Sequence, residues 1–216
     1  MFQGPFDYSI VKKAQEKKKV DINFVNIRDF GIGRHKIVDD KPYGGGHGMI
    51  LRVDVLEKAI LKTKNSKLDK DEQKVILLSP QGKTFNQKKA IEFSRLKHLI
   101  LVCGHYEGVD ERIKKFIDEK LSIGDFVLTG GEIPAMLVTD AVVRLLEGVL
   151  KEGVTTSESF SPHLEYPQYT KPNIFKDLSV PPILLSGNHK KIKDWRKNKS
   201  LKITIRLRPD LLKPKS

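Results

Sequence analysis

The sequence predicts an α/β domain around a mainly parallel sheet, followed by a small helical C-terminal module. Three observations point there. Short, continuously apolar runs alternate with helix-like patterns, which is how strands buried on both faces of a parallel sheet read. The three clearest runs each end in a loop signal: "LLSPQG" (77–82), "VCGHYEG" (102–108) and "VLTGGEIP" (127–134). The alternation stops near Leu150, and the charge changes beyond it. Residues 171–216 hold 13 Lys or Arg against 3 Asp or Glu, a net of +10 out of +13 for the 216-residue chain.

Taken in order, Pro5 to Lys18 predict an amphipathic helix, with Phe6, Ile10 and Ala14 at i, i+4 spacing. "VDINFVNI" (20–27) alternates and predicts a strand. Residues 28–51, "RDFGIGRHKIVDDKPYGGGHGMIL", keep no period; a loop this long in a compact domain is more often functional than idle. Asp54 to Lys64 predicts a helix, Lys74 to Pro80 a buried strand, Lys88 to Leu96 a helix and His98 to Gly108 a strand. "VDERIKKFIDEK" (109–120) predicts a helix with Val109, Ile113 and Phe116 on one side. "LSIGDFVLTGGEIPAM" (121–136) supplies a third buried strand running into a Gly-Gly pair, and Pro134 to Leu150 a long apolar helix with proline near its first turn. Residues 151–172, rich in Ser, Thr, Pro and Glu, predict a linker, and 180–212 a basic helical module.

Composition narrows the function. No apolar run approaches the roughly 18 residues of a membrane span, and the N-terminus lacks the layout of a signal peptide, so a cytoplasmic protein with no membrane partner is expected. Cys103, the only cysteine, sits in the apolar run "LILVC" and reads as a small core residue rather than a nucleophile. The six histidines, at 35, 47, 98, 105, 163 and 189, show no paired ligand spacing, which argues against structural zinc. The basic C-terminal quarter suits a polyanionic partner, since each Lys or Arg placed on a phosphate releases counterions. A solvated basic face is the alternative.

In a parallel sheet the C-terminal strand ends lie along one edge, where α/β proteins bind ligands. Glycines at those ends let backbone groups reach a ligand unobstructed. One such end would be an ordinary turn; three together predict a ligand edge. No phosphate-cradling fingerprint is present, and "GIGRHK" lacks the third glycine of a dinucleotide motif, so an adenosine-type cofactor held by backbone contacts fits better.

"VDDKPYGGGHGM", "LLSPQG", "LVCGHYEGVDERI", "LSIGDFVLTGGEIPAM" and "VPPILLSGNHKKIKDWR", in this order and at these intervals, closely resemble the bacterial tRNA (guanine-N1-)-methyltransferases, knotted enzymes of the SPOUT superfamily. The resemblance covers nearly the whole chain. It implies a SPOUT domain with a deep trefoil knot over residues 1–149, an interdomain linker at 150–165 and a helical tRNA-binding domain at 166–216. It further implies S-adenosylmethionine bent inside the knot, and a homodimer with active sites between subunits.

Carried over, the cofactor contacts would be Leu78, Ser79 and Pro80 from the first loop and Gly104, Tyr106, Glu107 and Gly108 from the second. The third would add Ile123, Gly124, Asp125, Phe126, Val127, Leu128, Gly130, Gly131 and Pro134. The implied reaction is methyl transfer to N1 of the guanine at tRNA position 37. That nitrogen must lose a proton to attack, so a general base is required, with a cation or donor to stabilise charge at O6. The resemblance assigns the base to Glu158, where the family pattern has Asp, and the cation to Arg144. A snorkelling arginine is the alternative for the latter. Asp39, Asp40, Tyr43, Gly44, Gly45 and Gly46 would surround the turned-out guanine. Lys190, Lys191 and Arg196, with Lys193, Arg206 and Arg208, would hold tRNA phosphates, while Trp195 reads as module core. Glu107 is an implied contact to Mg²⁺. Two departures accompany these expectations: the chain opens at "MFQGPF" as though the family's first strand were missing, and its last domain ends early. The rival readings are another SPOUT RNA methyltransferase and a basic RNA-binding protein without catalysis.

Overall fold

The computed structural model describes residues 2, 4–156 and 158–212; the outer ends of the two predicted domains, at Met1 and 213–216, lie outside these. The chain forms two compact units, Met1–Leu150 and Lys151–Ser216.

The first unit is built on a three-stranded parallel sheet of β3 (Gln73–Thr84), β4 (His98–Cys103) and β5 (Glu119–Ser122), in the order β4-β3-β5. Two-residue strands β1 (Asp39–Asp40) and β2 (Ile50–Leu51) make a small antiparallel pair beside it in sequence. The central strand is apolar at four consecutive positions because both its faces are covered. Val75 and Leu77 join Val55, Leu56 and Ile60 of α2 (Val53–Thr63) in one core. Ile76 and Leu78 face Ala90 and Phe93 of α3 (Gln87–Phe93), with Ala135, Val138 and Val142 of α4 (Glu132–Val143), in another. A strand's alternation sends successive side chains to opposite faces, so a helix layer on each side demands this unbroken run.

Four expectations change. Residues 5–18 are not one helix: a 3-10 turn at Pro5–Asp7 is closed by the Asp7 carboxylate on Gly4 N (3.1 Å), Tyr8 is extended, and α1 (Ser9–Glu16) starts afresh. Residues 20–27 form no strand. Val20 and Ile22 pack against Phe6, Val11, Ala14 and Val143, but an alternating pattern supplies a face and not a ladder partner, and none pairs with them among the described residues.

The helix expected over 109–120 is a 3-10 turn, Glu111–Lys115, that drops Ile113 into the core and gives way to β5. The Asp110 side chain caps the turn through Arg112 N (2.9 Å). Asp118 then bonds Val75 twice, through its carboxylate (2.7 Å from Val75 N) and its own N–H (2.8 Å to Val75 O), which recruits the chain to the sheet. Finally, α4 stops at Val143 instead of Leu150, leaving Arg144 at its C-cap.

The second unit carries a two-residue-per-strand hairpin, β6 (Ile174–Phe175) with β7 (Leu178–Ser179), then α5 (Pro182–Leu185) and the 19-residue α6 (His189–Leu207). Asn188 caps α6 by accepting from Lys191 N (3.1 Å). Buried Thr204 binds Leu164 N through Oγ1 (2.9 Å), and Ser200 Oγ donates to Leu164 O (2.6 Å). The end of the expected linker is thereby tied to α6. No described helix is long and apolar enough to cross a membrane.

Candidate active site

The three strand ends meet. At the first, β3 pairs with Leu121 twice, through Leu78 and again through Lys83, so Ser79–Gly82 bulge out between the two registers. Lys120 Nζ reaches across to Gln81 Oε1 (2.7 Å) and Glu111 Oε2 (2.9 Å), and this contact holds the Glu111 carboxyl below its ordinary value.

At the second, β4 runs through Cys103 into a tight turn in which Gly108 N donates to His105 O (3.1 Å) and Tyr106 takes a left-handed φ of 58°. This turn is stitched to β2 by Glu107 N on Met49 O (3.1 Å) and Leu51 N on Gly108 O (3.0 Å). At the third, β5 continues past Ser122 into bends over 123–129, then the Gly130–Gly131 pair and α4. Gly131 N donates to Gly104 O (2.8 Å), joining the second and third ends directly. A Cβ on Gly131 would stand 2.6 Å from Cys103 Cα, so only glycine allows this backbone approach.

The result is a cleft of about 430 Å³, within the size range of small-molecule sites. All the residues expected to touch the cofactor line it except Asp125, which points to solvent beside the lining residues Gly124 and Phe126. Leu78, Pro80, Ile123, Val127, Leu128 and Pro134 form apolar walls around glycines 104, 108, 124, 130 and 131, with Ser79, Tyr106, Glu107 and Phe126 beside them. Sequence reasoning missed Gln81, His105, Glu111, Lys120 and Thr129, which also line the cleft. Gln81, His105, Glu111 and Thr129 lie inside the motifs quoted above, whereas Lys120 carried no signal.

Cys103 behaves as core: burial, with the nearby Glu132 charge, pushes its thiol up to about 12. Among the described residues, no three His, Cys, Asp or Glu side chains gather as a metal cage. Glu107 packs its side chain over Gly48 at the end of the glycine-rich loop.

Of the expected substrate-side residues, Asp39 and Asp40 form β1 opposite Leu51 and Ile50, and Asp40 accepts from Arg52 (3.2 Å). Tyr43 is fully exposed, and Gly44, Gly45 and Gly46 all have positive φ in the loop between β1 and β2. Arg144, half-buried, caps α4; Glu158, half-buried in the second unit, accepts Ser161 N at its carbonyl (3.2 Å). Lys190, Lys191, Lys193, Arg206 and Arg208 are exposed along and just beyond α6, and Arg196 lies 4.9 Å over the Tyr166 ring. Trp195 is half-buried against Tyr169 (6.4 Å), as a core residue of that unit would be.

A backbone-lined cleft at the carboxyl ends of parallel strands, on a chain with a strongly basic second unit, defines a small-ligand α/β enzyme that meets a polyanion. Residues 1–214 match the family described as tRNA (Guanine-1)-methyltransferase TrmD. The chain is 55% identical to the tRNA (guanine-N(1)-)-methyltransferase of Dictyoglomus turgidum over 100% of its own length and 87% of that protein's. It is 55% identical to the same enzyme of Carboxydothermus hydrogenoformans (99% of this chain, 83% of the relative) and 52% identical to that of Metamycoplasma arthritidis (98% and 90%). The chain belongs to the tRNA (guanine-1)-methyltransferase family, and it is a methyltransferase acting at N1 of guanine in tRNA.

Proposed function

We propose that the cleft holds S-adenosylmethionine, that the methylated base is the guanine at tRNA position 37, and that Glu158 and Arg144 carry the proton and charge chemistry. One observation supports this most: residues from three separate strand ends, expected from the resemblance to touch one cofactor, line one cleft. The donor set fits an adenosine. Peptide N–H and C=O groups offer hydrogen bonds to a purine edge, Leu78, Pro80 and Leu128 offer apolar faces, and the close approach of Gly131 to Cys103 holds the second and third loops together at the cleft. S-adenosylmethionine supplies an electrophilic methyl group on sulfonium.

The rest of the chemistry falls to the chain. Glu158 takes the proton from N1, so the N–H pair remains on nitrogen and forms the new N–CH₃ bond. Arg144 stabilises the negative charge that spreads to O6 as the proton leaves. Asp39, Asp40, Tyr43 and Gly44–Gly46 close around the extruded base, and the lysines and arginines of α6 take phosphates. Glu107 and Glu111 both line the cleft, but among the described residues no three His, Cys, Asp or Glu side chains gather there to hold Mg²⁺.

We further propose that the chain winds through the Ser79–Gly82 bulge and the 123–131 bends as the family's trefoil knot, and that it works as a homodimer. Val127, 88% exposed, and Phe126, Ile133 and Leu137 present a large apolar surface at the third loop and one side of α4, the kind of patch a second copy covers. The test is calorimetric titration of S-adenosylhomocysteine into the protein and into Gly131→Ala. Binding to the former, with about a tenfold or greater loss in the latter, is expected from the overpacking at Cys103. Equal affinities would remove the cleft from the mechanism.

A further inference from the structure

Glu132, the first residue of α4, does not line the cleft, yet it stands directly behind it. Its Oε1 lies 3.2 Å from Nε2 of His105, which does line the cleft, and its side chain is only 18% exposed. Its Oε2 is buried without a hydrogen-bond partner among the described residues. Both side chains close on Gly130: a Cβ there would stand 2.7 Å from His105 Nε2 and 2.5 Å from Glu132 Oε2. His105 and Gly130 are also bridged through their backbones. A buried acceptor left bare costs folding free energy, so a carboxylate kept there for stability alone is a poor choice.

We propose that Glu132 is a positioning residue for the cofactor: its carboxylate holds the His105 ring against Gly130, which fixes the second and third loops of the cleft at the spacing the ligand needs. This rests on the reading that S-adenosylmethionine occupies the cleft. Contact with the ligand is made by the loops, and Glu132 acts through His105. Its effect therefore falls on cofactor affinity and leaves RNA affinity alone, a split that a general loss of stability would not produce.

The experiment titrates S-adenosylhomocysteine into the full chain and into Glu132→Ala, His105→Ala, Glu132→Gln and the Glu132→Ala, His105→Ala double variant, and measures KM for tRNA in parallel. Each alanine variant is expected to bind about tenfold more weakly, with the double variant no worse than the weaker single, because coupled partners are not additive. Glu132→Gln keeps an oxygen toward His105 and is expected to stay within about threefold of the unchanged chain, and KM for tRNA to hold throughout. Glu132→Ala binding within about twofold of the unchanged chain, losses that multiply in the double variant, or a parallel rise in KM for tRNA would each overturn the proposal. Should Glu132→Ala not fold, His105→Ala and Glu132→Gln decide between the same outcomes. Failure of the unchanged chain to bind would instead sink the assignment of the cofactor to the cleft.

Discussion

In the proposed mechanism Glu158 and Arg144 divide the chemistry between them. Glu158→Gln keeps shape and hydrogen bonding but cannot accept the N1 proton, so kcat should fall by about 10²- to 10⁴-fold with KM for tRNA little changed. Single-turnover methyl transfer checks this, and full activity in Glu158→Gln would remove it as the base. Cys103 gives the converse case. With its thiol at about 12 it stays protonated at neutral pH, so the folded protein should resist iodoacetamide and react only once unfolded, as mass spectrometry would show. Residue identity was legible in the sequence where backbone geometry demands it, as at Gly131. It was not legible at Asp125, which sits in a motif whose neighbours line the cleft while it faces solvent. Nor could spacing alone have brought Lys120 to Gln81, 39 positions apart.

Among the elements, β3 was the most legible and residues 20–27 the least. Four consecutive buried apolar residues can be satisfied only between two layers, which identifies a central strand from the sequence itself. Alternation over 20–27 was matched by packing on the α1 side without any ladder, a distinction that depends on what lies alongside. The turn at 111–115 shows the same limit: Val109, Ile113 and Phe116 have helical spacing, but Asp118 captures Val75 and pulls the chain into the sheet. Asp118→Ala leaves Val75 N–H without its acceptor and should cost about 1–3 kcal/mol, read from denaturant midpoints.

Charge also ties elements together. The Glu92 carboxyl is held below its ordinary value, first by Lys74 (2.6 Å) and then by Lys89, which also reaches Glu119 (3.1 Å) from α3 to β5. The folded state thus prefers ionised Glu92. Its contribution is complete above the unfolded value near 4.5 and is lost as pH falls through the lower folded value. Glu92→Gln should therefore flatten the acid limb of the stability curve below that pH and lower the neutral plateau, though only modestly, because the side chain is partly solvated.

At the scale of the whole molecule, charge and exposed apolar surface support the proposal of different partners for different regions. If the net of +10 over 171–216 is the proposed tRNA surface, binding should weaken steeply with salt, and each of Lys190→Ala and Lys191→Ala should reduce the salt slope by about one without changing which RNA is preferred. The exposed apolar residues Ile133 and Leu137 of α4, beside the third loop, are the proposed contact with a second copy. Leu137→Glu should shift sedimentation from dimer to monomer and abolish turnover together, if sites are shared between subunits. Membership of the methyltransferase family, shown over residues 1–214, removes the reading of a basic RNA-binding protein without catalysis. The proposed knot could not be read from composition or period, because threading leaves no local signal.

The most direct measurement uses S-adenosylmethionine labelled in its methyl group with two tRNA transcripts that differ only in having guanine or adenine at position 37, followed by mapping of the modified base. The expected result is label on N1 of guanine 37 in the first transcript and none in the second. Label at another base, on a ribose, or on both transcripts would contradict it.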